Sequence, residues 1–349
     1  MKAIIGRAYG VPEEVLRLVD IDEPQIAPDD VLVRVHAASV NPADWHLIRG
    51  TPFVARTQFG VRTPKFRIPG CDVAGTVHAV GRNVTSLRPG AEVFGTSFMR
   101  GFGTFAEFVS VPASLVARKP TNLTFEQAAA VPLAATTALQ ALRDHGRLNA
   151  GQQVLIVGAS GGVGTFAVQI AKALGAEVTA VCSTSNLAML RSLGAHHLID
   201  YTKVDFTNGS TRFDVILQAA GTASPIACRR ALAPRGTLVQ ISGDSNNRWI
   251  GPVGRIMSAA LLSPLVSQRM MSFTVQPNQQ DLSLLANFIE SDKVAPVIDR
   301  MYPLHDVANA IRYVEAGHTR GKAVIAIARG DFDYANRGEG HSRCRLQGR

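Results

Sequence analysis

The stretch Val154-Leu-Ile-Val-Gly-Ala-Ser-Gly-Gly-Val-Gly164 decides the fold, and it runs directly into Thr165-Phe-Ala-Val-Gln-Ile-Ala-Lys-Ala-Leu-Gly175. An apolar run of strand length meets a glycine-rich turn, and an apolar pattern of helical period follows. A buried parallel strand that feeds a helix through glycines leaves backbone N–H groups pointing out of the helix N-terminus, where a pyrophosphate can sit. The turn Ala159-Ser160-Gly161-Gly162-Val163-Gly164 carries the dinucleotide fingerprint with alanine in place of its first glycine. A glycine motif alone is weak, but the strand before it and the helix after it supply the context that makes it specific. These six residues are the expected cofactor cradle.

Outward from this turn, strand and helix signals alternate. Apolar strands are expected at 154–157, 177–181, 214–218 and 237–241, with helices near 163–174, 186–193 and 224–232. That is the pattern of a doubly wound parallel sheet of the α/β class. Met271 to Val275 reads as an edge strand, and Asp281–Glu290 and Leu304–Ala316 as later helices. Residues 1–124 read differently. Val31-Leu-Val-Arg-Val-His36, Ala74 to Val80, Gly90 to Phe94 and Ala106 to Val111 are short strands between turn residues, as in a compact, partly open β-barrel. The expected organisation is a barrel-like unit over 1–124 and, after it, a dinucleotide unit over 125–278. A polar, aperiodic tail covers 329–349.

With 349 residues the chain is long enough for two cores. Thirty-six basic against 27 acidic side chains leave a formal charge of +9, yet no block of five like charges and no nucleic-acid motif occurs. The basic field instead suits attraction of a polyphosphate cofactor. No apolar run approaches the roughly 20 residues of a membrane helix, and no secretory signal is evident. Cys71, Cys182, Cys228 and Cys344 are widely spaced, which fits a reduced, cytoplasmic setting. A small-molecule substrate is the expected partner, with no nucleic acid and no membrane; a homodimer is a possible assembly.

The second strand of a dinucleotide unit normally ends on an acid that holds the ribose 2′-hydroxyl. Here the region reads Ala180-Val-Cys-Ser-Thr-Ser-Asn186, with Ser183 and Thr184 where Asp or Glu is expected. Loss of the carboxylate removes repulsion against a 2′-phosphate, and hydroxyls can donate to one. NADPH is therefore expected over NADH, with Tyr201 as a further contact. A permissive pocket that takes both cofactors is the alternative.

Together with Val40-Asn-Pro-Ala-Asp-Trp-His46, Pro69-Gly-Cys-Asp-Val-Ala-Gly-Thr-Val77, Ala130-Val-Pro-Leu-Ala-Ala-Thr-Thr137 and Gly317-His-Thr-Arg-Gly-Lys322, the glycine turn makes the chain resemble the medium-chain dehydrogenase/reductase superfamily, in its zinc-free quinone oxidoreductase branch. The resemblance spans roughly residues 1–328. It implies a GroES-like catalytic domain over 1–124, a Rossmann domain over 125–278, and the return of 279–328 to the catalytic domain. Zinc-dependent relatives carry Cys-x-x-Asp-x-His where this chain has Asn41-x-x-Asp44-x-His46, and Gly-His-Glu where it has Gly70-Cys71-Asp72. A catalytic zinc needs about three protein ligands, so no metal is expected, and Cys71 is read as a small buried residue.

The resemblance also implies site residues. Asn41 is expected to bond the substrate carbonyl or the nicotinamide ribose, or simply to cap a turn before Pro42. His46 is expected either to relay a proton or to lie on the outer face of a short helix. Thr137 is expected to face the nicotinamide or simply to begin a helix, while Lys322 is expected to be a cofactor contact or a solvated charge. Gly221, Ser242 and Gly243 end the later parallel strands, the edge of the sheet at which cofactors bind. Without a Lewis acid, hydride donation to an already electrophilic carbon is the accessible reaction, so a quinone or an α,β-unsaturated carbonyl is the expected substrate. Alternatives are an enoyl thioester, an alcohol or aldehyde, or a non-catalytic role in binding NADPH. The segment Arg255–Met271 is expected to line the substrate mouth or a subunit contact.

Overall fold

The computed structural model describes residues 1–98, 100–221, 223–241 and 267–327. Ser242, Gly243, most of the Arg255–Met271 segment and the 329–349 tail lie outside the described residues.

Six parallel strands form the nucleotide sheet. In spatial order they are His197–Asp200, Glu177–Cys182, Gln153–Val157, Phe213–Gln218, Leu232–Gln240 and Arg269–Ser272. The order reverses beside Gln153–Val157, which is the point where open parallel sheets bind ligands beyond their carboxyl ends. Residues 154–157 are buried, as the uninterrupted apolar run predicts for a strand covered on both faces. Helix Gly162–Ala173 crosses to the next strand, with Gly164 through Ala171 all buried.

The turn between this strand and helix explains the alanine in the fingerprint. Gly158 holds φ +79°, the left-handed region that favours glycine, so the sharp turn falls one residue before Ala159. Ala159 lies outside that region, is fully buried, and donates its N–H to Val181 O at 3.1 Å. Gly164 has no such latitude, because a Cβ there would stand 2.2 Å from Gly158 O.

The other unit is a mostly antiparallel, seven-stranded sheet built on Asp30–Ser39 and Asp72–Val80. Strand Lys322–Ala326 pairs with residues 37–39 of the first of these, and Ile298–Pro303 pairs with Lys322–Ala326. The C-terminal region therefore returns to the catalytic sheet. Leu304, Val307, Ala310 and Ile311 join its core with Val31, Val33 and Val73. Helix Gln279–Glu290 behaves differently from the rest of 279–328. Its Leu282, Leu285 and Ile289 pack into the nucleotide-side core with Leu139 and Phe166. Polar contacts reinforce that docking: Gln140 Nε2 and Arg143 Nη1 both donate to Asp281 at 2.7 Å.

Between the two units lies helix Pro132–Gln140, buried along its whole length. Its N-terminal turn meets the catalytic sheet at Asp72, whose Oδ1 accepts the Leu133 N–H at 3.0 Å. A carboxylate there satisfies one of the amides that a helix start leaves unbonded.

Candidate active site

The glycine turn and the C-terminal strand touch. Gly321 N donates to Ser160 O at 2.8 Å, and Gly161 bridges to Gly321. The helix that starts at Gly162 has no side-chain cap on Gly161, so its first-turn amides, including those of Gly162, Val163 and Gly164, have no capping side chain and suit an anion. The cradle thus fits a pyrophosphate.

At the end of strand Glu177–Cys182, Ser183 precedes a short 3₁₀ turn, Thr184–Asn186. Ser183 Oγ accepts from Asn186 Nδ2 at 3.1 Å, which leaves its hydroxyl proton for a donor role. Thr184 is committed elsewhere: its hydroxyl donates to Asp200. Asp200 also accepts from Thr202 N at 3.0 Å and Thr202 Oγ1 at 2.7 Å, with Lys203 Nζ 3.6 Å away. The Thr184 and Thr202 bonds hold the Asp200 carboxyl down at about 2. An acid therefore does stand beside the expected ribose site, but on the neighbouring strand and turned toward Thr184. Tyr201 is exposed.

A closed polar cluster occupies the junction of the two units. Asn41 caps helix Pro42–Arg49 in a reciprocal box with Asp44, and Asn41 N donates to Asp44 Oδ2 at 2.8 Å. Asp44 Oδ1 accepts from Gly70 N at 3.0 Å. The Asn41 carboxamide is held at both ends: Nδ2 donates to Asp72 Oδ2 at 2.8 Å, and Oδ1 accepts from Lys322 Nζ at 2.5 Å. Ser39 Oγ donates to the same Asp72 oxygen at 2.9 Å. Lys322 Nζ also donates to Val40 O at 3.0 Å and stands 3.6 Å from Asp72 Oδ2. Asn41, Asp44, Asp72 and Lys322 are all at most 3% exposed. Burial pushes the Asp44 carboxyl up to about 7, and the charge on Asp72 adds to the effect. Burial, with Asp44 and Asp72 nearby, also pushes the Cys71 thiol well above its usual range.

These distances revise two expectations. Asn41 caps its helix and also belongs to a network, so the two readings of it are not exclusive. Lys322 lines the glycine turn with its stem, but its ammonium is spent on Val40, Asn41 and Asp72 rather than aimed at a phosphate. Thr137 is buried and its hydroxyl donates to Leu133 O at 2.6 Å, so its oxygen can only accept from a cofactor. Gly221, at φ +87°, closes the end of strand Phe213–Gln218. His46 is half-buried and its ring lies 3.6 Å from the Trp45 ring. Its Nδ1 sits 2.6 Å from the Thr51 carbonyl, which only accepts, so Nδ1 carries a proton and Nε2 is the nitrogen a relay would use.

Against Cys71 and Leu133 packs an aromatic cup. Phe102 is its centre, with Phe66 at 5.3 Å, Phe59 at 6.1 Å and Phe98 at 6.2 Å between ring centroids, and Val275 beside them. Phe102 holds φ +57°, a conformation unusual for a bulky residue.

The alcohol dehydrogenase GroES-like domain family matches residues 27–121, and the zinc-binding dehydrogenase family matches residues 193–325. A 2-methylene-furan-3-one reductase of Solanum lycopersicum is 34% identical over 335 residues, covering 93% of this chain and 79% of that protein. The chain belongs to the medium-chain dehydrogenase/reductase superfamily, in its quinone oxidoreductase branch. It is an oxidoreductase. An NADPH-dependent alkenal/one oxidoreductase of Arabidopsis thaliana is 33% identical, with the same coverage of 93% and 79%. The quinone oxidoreductase from Coxiella burnetii superposes with a TM-score of 0.84 at 32% identity, over 94% of this chain and 99% of that one.

Some members of this superfamily hold zinc where Asn41 and Cys71 stand. The residues here do not fit that metal. Asn41 is a carboxamide already bonded on both atoms, and Cys71 alone falls short of the roughly three protein ligands that a catalytic zinc takes. Among the described residues no group of three or more His, Cys, Asp or Glu could hold a metal ion. No helix among them is long and apolar enough to cross a membrane.

Sequence reading missed Asp44, Ser39, Asp200 and the aromatic cup. Asp44 was recoverable, because Asn-x-x-Asp at a helix start is a capping-box spacing. Asp200 and the four phenylalanines carry no local signal; only the fold brings them to the site.

Proposed function

We propose that the protein is a zinc-independent, NADPH-dependent reductase of quinones or α,β-unsaturated carbonyls. The observation that carries this reading is the Asn41–Asp72–Lys322 cluster, which puts a fixed carboxamide where metal-dependent relatives place a Lewis acid. Asn41 Nδ2 has one short bond, to Asp72. Its remaining contacts are Ser39 O, long at 3.4 Å, and Cys71 Sγ at 3.5 Å, where the sulfur is a weak acceptor. One N–H is thus weakly engaged and suited to a carbonyl oxygen that gains charge.

A bound nicotinamide supplies the hydride. The chain's own residues then hold the acceptor, exclude water and donate to its oxygen. One carboxamide N–H supplies less stabilisation than a metal, which suits a conjugated acceptor whose own oxygen takes up charge. The Phe59, Phe66, Phe98 and Phe102 cup suits a flat, apolar one. The names of the tomato and Arabidopsis relatives, a furanone reductase and an alkenal/one oxidoreductase, support the same substrate class. Cofactor choice rests on Ser183 and on the second of those names. The cytoplasm is the proposed setting, supported by Cys71 and Cys182, which are buried and unbridged.

The test is NADPH oxidation with a panel of quinones, enones and enoyl-CoA thioesters, alongside elemental analysis. Turnover of quinones or enones by protein without stoichiometric zinc is expected. Activity confined to enoyl-CoA, or one zinc per chain that EDTA removes with loss of activity, overturns the proposal.

A further inference from the structure

We propose that Lys322 is a positioning residue for the reduction: it fixes the Asn41 carboxamide so that a single N–H faces the acceptor oxygen. This rests on the reductase reading above and assigns a role within the same site.

Three observations carry it. First, an ammonium has three donors, and Lys322 has three acceptors in reach: Val40 O at 3.0 Å, Asn41 Oδ1 at 2.5 Å and Asp72 Oδ2 at 3.6 Å. All three turn the buried ammonium toward the catalytic unit, with Asp72 as an ion-pair contact rather than a hydrogen bond. Second, a carboxamide can flip end for end, and here one orientation alone is satisfied. Lys322 only donates, so it selects the oxygen end, while Asp72, acting as acceptor, selects the nitrogen end. A flipped Asn41 would set NH₂ against the ammonium and oxygen against the carboxylate. Third, the stem of Lys322 lies on the cofactor turn. A Cβ on Gly162 would stand 3.0 Å from Lys322 Cδ, and Gly321 N bonds Ser160 O. The side chain that sets the carboxamide is therefore itself set by the loop that carries the pyrophosphate. This places the substrate-side donor and the cofactor on one rigid link.

The experiment measures Lys322→Met by steady-state kinetics, by NADPH binding, and by NMR of protein labelled at asparagine with ¹⁵N. Turnover of an enone is expected to fall on the order of 10²-fold, the scale of a misplaced reacting group. The NADPH dissociation constant should change less than about twofold. The Asn41 side-chain NH₂ signals, slow to exchange in the parent, should broaden or exchange rapidly. A large loss of NADPH affinity with turnover kept would make Lys322 a cofactor contact and overturn the proposal. Unchanged Asn41 signals would do the same even if the parent reduced no enone, so failure of the reductase reading is distinguishable.

Removing the lysine leaves Asp72 buried without its counter-charge, which by itself threatens the folding of the variant. The charge-balanced pair Lys322→Met with Asp72→Asn answers this. Recovered stability with turnover still low is expected. Turnover restored along with stability would reduce Lys322 to charge balance and overturn the positioning role.

Discussion

Two acidic clusters flank the cofactor cradle, and they are built oppositely. Around Asp200 the partners are Thr184, Thr202 and Lys203, of which the last two lie within three residues of it in the chain, and Lys203 and the adjoining Tyr201 stand in solvent. Around Asp72 the partners come from residues 39, 41, 133 and 322, and the carboxylate has no exposed surface. The first cluster shapes a rim in which Asp200 is itself buried and the outer members are exposed. The second is a keystone joining the catalytic sheet, the inter-unit helix and the returning C-terminal strand. A buried charge is tolerated only when fully partnered, so the second cluster ties the chemistry to the fold itself.

The largest contrast should come from breaking each carboxylate in turn. Asp72→Leu leaves Lys322 buried and unpaired, and about 3–5 kcal/mol of stability should be lost in urea unfolding. Asp200→Asn should be far milder by the same measurement. Comparable losses would show that the two clusters do not differ in kind.

A smaller effect separates them by pH. The folded-state pKa of Asp44, about 7, lies above its ordinary value of 3.8. The folded chain therefore keeps a proton between roughly pH 4 and 7 that the unfolded chain has released. Stability from this group is greatest below pH 4, falls as pH rises to about 7, and then levels off. The fall should be on the order of 2 kcal/mol, allowing for relaxation around the site. Urea midpoints across that range should show it, and Asp44→Asn should flatten it. A slope unchanged in the variant would assign the titration elsewhere. Asp200, with its carboxyl held low, should contribute a dependence of opposite sign, confined to pH values below the ordinary carboxylate range.

The smallest expected change is at the rim. Ser183→Asp sets a charge opposite a 2′-phosphate and should shift the ratio of NADPH to NADH dissociation constants by on the order of tenfold, about 1.4 kcal/mol. Thermal unfolding should barely move. An unaltered ratio would place the 2′-phosphate away from Ser183.

What the sequence made legible follows the same division. The glycine turn, the strands at 154–157 and 214–218, and the helix after the turn are local patterns, and all are present. Strands Leu16–Asp20 and Ile298–Pro303 escaped notice because charged residues break their alternation and each is short. Helix Gln279–Glu290 was visible as a helix, yet its apolar face does not say which core receives it. Asn41 and Lys322 were singled out from motifs, but their bond to one another was not, since no local pattern reports contact between distant segments.

That distance has a consequence for how the protein comes into being. Asn41 and Lys322 are 281 residues apart in the chain. On a ribosome adding roughly 5–20 residues per second, Asn41 waits between about a quarter of a minute and a minute before its lysine exists. Strand Lys322–Ala326, which pairs with residues 37–39, and the buried counter-charge for Asp72 arrive together at that moment. A nascent chain therefore carries its glycine turn well before its reducing site, and the last strand to emerge completes both, since Gly321 bonds Ser160 and Lys322 bonds Asn41.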